Sequence, residues 1–228
     1  MRFIRLAAAL LAALCLLPAC APAQDIASER MEDIAALCDT LEANHKNLFA
    51  ALSKEAFDEE RSTLEQSAPA MSDAQFYYAL RELVASVHDA HTSLDFSDSW
   101  YAHLTALPFA VLPMESTWFL AIVDEPNAAY LGWEVLSIDS VPMDEVFTRA
   151  KRLISRENDV WAAQNFSNTI NFLEALQYLG VSPASASGVT LALRDRQTGP
   201  KQASRSKVSP RRRFPACKPR AFRPRRRP

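Results

Sequence analysis

Over residues 26–44 the apolar positions Met31, Ile34, Leu37, Cys38 and Leu41 recur at helical spacing, so one face is turned to a core. Ser53 is placed to cap a second helix running to about residue 66, with Phe57 and Leu64 inward. Ser72-Asp73 opens the most regular helix, whose stripe is Phe76, Leu80, Leu83, Val84 and Val87. Fully buried, each such side chain contributes roughly 1.5–3 kcal/mol. Three helices in close succession predict a helical subdomain over 25–91. The period then changes. Alternating or branched runs at 92–96, 108–112, 118–123 and 134–139 predict strands. Pro142 suits the first turn of a helix continued by Val146, and one longer helix is expected over 160–179, stopped by Gly180. A last strand is expected at 189–193 and a turn at 195–199. The fold class is α+β: the helical subdomain, then a mixed α/β region over 92–199. Beyond Gly199 no apolar period survives and Pro recurs at 210, 215, 219, 224 and 228, which predicts a disordered Arg/Pro-rich tail over 200–228.

Composition fits one substantial core or two small ones, with 49% hydrophobic and 23% charged residues among 228. The net charge of −2 is a cancellation. Residues 25–200 carry 11 basic and 27 acidic groups, whereas residues 201–228 carry 12 basic groups and no acid. Such a tail has two readings. A genuine polybasic segment would bind anionic lipid or nucleic acid. Nucleic acid is set aside, because an exported protein rarely meets it and only Phe214 and Phe222 could stack on bases. The abrupt onset of Arg, Pro, Ala and Ser favours the other reading, an out-of-frame translation beginning near Gly199.

Export is read from residues 1–24. Arg2 and Arg5 precede a short apolar run, Leu6 to Leu17, which falls below the ~20 residues of a membrane span. Two cleavage patterns compete. Leu17-Pro18-Ala19-Cys20 resembles a lipobox, which would put a lipid on Cys20, and Ala21-Pro22-Ala23 would release a protein starting at Gln24. The expected location is therefore periplasmic, secreted, or membrane-attached through Cys20. Cys15, Cys20, Cys38 and Cys217 form neither a disulfide framework nor a zinc spacing.

Four glycines, at 132, 180, 188 and 199, cannot build a phosphate-cradling loop, and G-x-S-x-G is missing. The S-x-x-K at Ser204–Lys207 falls in the tail, where nothing would hold a base beside the serine. The informative stretch is Leu83-Val84-Ala85-Ser86-Val87-His88-Asp89-Ala90-His91-Thr92-Ser93-Leu94, an apolar helix ending in a polar cluster. Three readings stand. His and Asp could bond to groups freed at the helix end. His88, Asp89 and His91 could share an ion, although a helix ending there spoils their common face. One imidazole could be a general base, with a nucleophile supplied from elsewhere.

The apolar helix followed by D-x-H-T and a short strand resembles the N-terminal region of tail-specific, or C-terminal-processing, serine peptidases, most closely the tricorn-like branch. That branch shows G-D-G-H-T, where this chain has His88-Asp89-Ala90-His91-Thr92. A second stretch, Leu131 to Met143, resembles the strand-turn-helix of the PDZ-like module in these peptidases, with Ser140 where glycine is usual. The resemblance covers about residues 26–199 and implies that 92–199 is PDZ-like. It implies peptide-bond hydrolysis of a peptide or protein substrate, without cofactor or metal. It makes His91 the base and leaves Asp89 and Thr92 holding its loop. The family's serine comes from a later domain, beyond the strand near Leu191. The chain is thus expected to be an inactive N-terminal part of such an enzyme. The alternative is a non-catalytic, exported or lipid-anchored module that takes an extended peptide at a sheet edge. A third is a chain without function, degraded through an unpaired edge.

Overall fold

The structure, a computed structural model, describes residues 22–95, 97–196 and 203–208. The signal at 1–24 lies outside the described residues up to position 21, and so do Cys20 and everything beyond Val208. No described helix is long and apolar enough to cross a membrane.

Helices α1 (Pro22–Asn44), α2 (Lys54–Ser67) and α3 (Asp73–Ala85) form the N-terminal part. Ser53 caps α2 by accepting from the Ala56 amide. Ser72 and Gln75 form a reciprocal capping box on α3. Ile34, Cys38, Phe57, Leu64, Phe76, Leu83 and Val87 close one core. Arg30, buried, donates to the Ala68 and Met71 carbonyls at 2.7 Å each and pairs with Asp73 at 2.8 Å. It thereby ties α1 to the 3-10 turn that follows α2, sharing the Ala68 carbonyl with the Met71 amide.

A four-residue helix, α4 (Asp98–Tyr101), leads to the sheet. Its strands are β1 (Phe109–Met114), β2 (Thr117–Val123), β3 (Glu134–Ile138), β4 (Val141–Pro142), β5 (Val189–Arg194) and β6 (Ala203–Val208). The order is β1-β2-β3-β5-β6, every pair antiparallel, with the two-residue β4 on β3. Helices α5 (Met143–Ala150), α6 (Asp159–Ile170) and α7 (Leu173–Tyr178) share a second core with this sheet. At its centre Trp118 stands 4.4 Å from Phe166 and 5.1 Å from Phe147, centroid to centroid. The fold is α+β, helices first and an antiparallel sheet after.

Four expectations are corrected. Residues 92–95 form a loop, not a strand: among the described residues no strand pairs with them, and Thr92 and Ser93 spend their hydroxyls on Asp89 and Asp95. The long helix over 160–179 is two helices. Leu107 donates to the Asn171 carbonyl at 2.7 Å and Leu173 to that of Thr105 at 3.0 Å, and this bridge to the segment before β1 breaks the helix at Asn171–Phe172. Disorder does not hold at 203–208, where Ala203 to Val208 pair in full register with β5 and meet its otherwise open edge. The single stripe on α3 is also too narrow. Tyr77 and Tyr78 are buried in the second core while Phe76, Leu83 and Val84 are buried in the first, so α3 is sandwiched.

Candidate functional site

Helix α3 ends at Ala85 with Ser86 as its C-cap, and the chain then turns sharply. The Val87 and His88 amides reach back to the Val84 and Ala85 carbonyls, and Val87 is buried. His88 takes φ 57°, the left-handed conformation that commonly ends a helix and that glycine adopts most easily. Asp89 follows and organises what comes next. Its Oδ1 accepts from the His91 main-chain amide at 2.9 Å, and its Oδ2 accepts from the Thr92 hydroxyl at 2.8 Å. Oδ2 also meets Nε2 of His45, which lies just beyond α1, at 2.9 Å. The Asn47 amide donates to Nδ1 of His45, which assigns the ring proton to Nε2 and makes His45 the donor. The His91 amide first, then the Thr92 hydroxyl and His45, hold the Asp89 carboxyl down to about 2 against the opposing effect of burial.

The resemblance's residues therefore gather in one loop, but the His91 ring is not gripped. Its side chain is 86% exposed, with Nδ1 3.5 Å from Asp89 and 3.8 Å from Oε1 of Glu157. Among the described residues no hydroxyl or thiol donates to that ring. Asp89, His91 and Glu157 bring three ligand-type atoms within 4.8 Å of one another, and His88 is not part of that group. This could hold a cation only at an open surface. His45 and Glu157 escaped the sequence reading: each is distant along the chain, and neither sits in a motif.

The second stretch folds as a tight hairpin. Ile138 pairs with Val141 across a two-residue loop, with Asp139 at φ 46° and Ser140 at φ 71°. Two consecutive positive φ values are what a type I′ turn requires. Asp139 accepts from the buried Ser182 hydroxyl at 2.6 Å and from the Thr190 amide at 2.7 Å, and its own amide donates to the Thr190 carbonyl at 2.9 Å.

The two sheet edges differ as docking sites. On β1 the outward donors are spent. The Val111 amide bonds Oγ of Ser167 on α6 at 3.0 Å, the Phe109 amide bonds Leu107, and Pro113 has no N–H. The β5 edge, by contrast, accepts a strand along six residues.

Compared with known proteins, the chain matches no family model and no curated protein.

Proposed function

We propose that residues 25–199 are the leading part of an exported, tail-specific-type serine peptidase. It would comprise a helical subdomain at 25–91 and a PDZ-like unit at 92–199, with His91 presented as the general base. The supporting observation is the backbone at His88 and Ser140. Both stand where the resemblance expects glycine, and both have positive φ, 57° and 71°. Left-handed geometry costs a non-glycine residue roughly 1–2 kcal/mol, so a chain that keeps it without glycine retains the shape of the turn. The third such position, Ala90, does not have a positive φ.

Hydrolysis requires nucleophile, base and oxyanion donors in one place. In this reading the described part supplies only the base and its loop, and the serine comes from a further domain. Export through the signal at 1–24, with a lipid on Cys20 as one outcome of cleavage, belongs to the same proposal. The mature protein, given a fluorogenic peptide, should show no turnover by itself. Turnover abolished by His91→Ala would instead make this chain a complete enzyme. Sequencing the gene past the codon for Gly199 should reveal a serine peptidase domain in one frame, and its absence from every frame would end the reading.

The alternative, a peptide-binding module, has one observation in its favour, the strand uptake at the β5 edge. Saturable binding of an extended peptide without turnover, competing with residues 203–208, would support it.

A further inference from the structure

A cleft of about 660 Å³ lies between α2 and α3 and the stretch that carries Arg152, Arg156 and Tyr178. Of the Asp89 loop only His88 lines it, so the cleft is separate from the His91 ring. Leu64, Met71 and Leu83 give it an apolar lining. Its charged groups are unequally matched. Glu82 is neutralised: Arg152 holds both its oxygens, at 2.6 and 3.0 Å, and the Tyr178 hydroxyl donates to it at 2.6 Å.

Arg156 has no such partner. One nitrogen, Nη1, donates to the main-chain oxygens of Lys151 and Ile154. Its Nε and Nη2 edge meets no acceptor among the described residues, and no carboxylate there forms an ion pair with it. That edge is the fork that takes a carboxylate bidentately. Burial lowers the Arg156 pKa, and the charge of Asp159, which forms no ion pair with it, opposes that only in part. On the α2 wall, Glu59 and Glu60 line the same cleft, and among the described residues no cation pairs with either side chain. The cleft thus holds a guanidinium whose Nε–Nη2 edge has no ion-pair partner among the described residues, two exposed carboxylates likewise without one, and an apolar lining, within the size range of small-molecule sites.

We propose that this cleft binds a small zwitterion with an apolar body, an aliphatic dipeptide or amino acid. Arg156 takes the carboxylate through its Nε–Nη2 fork, and Glu59 and Glu60 take the ammonium group. The site stands on its own geometry and does not depend on the peptidase reading. Calorimetry on the full chain with leucyl-leucine should show saturable binding with one ligand per chain. N-acetyl-leucyl-leucinamide, which lacks both charges, should not bind. Arg156→Gln should weaken leucyl-leucine by about tenfold or more, the worth of one charge-assisted pair. Arg156→Lys should fall between, since it keeps the charge and loses the fork. Arg156 also holds two main-chain carbonyls, so a second variant guards against misfolding. Glu59→Gln/Glu60→Gln, on the exposed face of α2, should weaken leucyl-leucine and leave N-acetyl-leucyl-leucine unaffected. No saturation by leucyl-leucine at millimolar concentration, equal binding of the doubly blocked dipeptide, or saturable binding of inorganic phosphate in its place would overturn the assignment.

Discussion

The loop at 88–92 carries one non-glycine residue in the left-handed region, His88, and the hairpin turn carries two, Asp139 and Ser140; an aspartate anchors each turn. They differ in where the anchor leads. Asp139 ties its turn to Thr190 on β5 and to the buried Ser182 hydroxyl, so it braces the sheet from within. Asp89 ties its loop to His45 after α1 and leaves His91 outside in solvent. One device thus serves as a brace in the first case and as a mount for an exposed imidazole in the second. If that distinction is right, perturbing the two aspartates should separate stability from display.

The largest effect should come from Asp139→Ala. It strands the Thr190 amide and the buried Ser182 hydroxyl, and a loss of about 3 kcal/mol in urea unfolding is expected for two such groups. Asp89→Asn should cost about 2 kcal/mol at pH 7, the worth of lowering its pKa from 3.8 to about 2. The sign follows from the direction. Because the folded-state pKa lies below the unfolded one, the stabilisation is complete above pH 3.8 and is lost as pH falls toward 2. Wild type and Asp89→Asn should therefore converge in stability near the acid end, and a constant gap across that window would show that the carboxylate's charge is not what holds the loop. His45→Ala removes one of three donors and should cost about 1 kcal/mol. It should also move the Asp89 titration, followed by NMR, back toward 3.8.

Much of this was legible in local pattern. Ser53 and Ser72 mark helix starts because N-cap chemistry is decided within three or four residues. The run from Glu134 to Ile138 reads as a strand and Pro142 as a helix entry for the same reason. The failures are all long-range. The break at Asn171 has no glycine or proline to announce it, since it is made by Thr105 and Leu107. The alternation at 92–95 looks like a strand but pairs with no strand among the described residues. In the candidate site, D-x-H-T was visible, whereas the group that completes Asp89 lies 44 residues away on a histidine beyond the end of α1. The strand at 203–208 was hidden by its composition. Its backbone pairs with an edge that Arg, Ser and Lys do not advertise.

A smaller, opposite effect tests the strained positions in both turns. His88→Gly and Ser140→Gly should each stabilise the fold by about 0.5–1 kcal/mol, because relief of left-handed strain outweighs the added entropy of the unfolded chain. A destabilisation at Ser140 but not at His88 would mean that the serine side chain has a role in the sheet turn beyond its backbone angle.

The smallest expected change is the one that decides what the Asp89 loop is for. His91→Ala should shift unfolding by less than about 0.5 kcal/mol, because the ring is 86% exposed and reaches its carboxylate neighbours only at 3.5 and 3.8 Å. Asp89 bonds the main-chain amide of His91, not its ring, so alanine at 91 leaves that bond in place. A shift that small would leave the proposed role of His91 as a base compatible with its exposure. A loss above about 1 kcal/mol would place the ring in the structural network with Glu157 and remove the reason for reading it as a base.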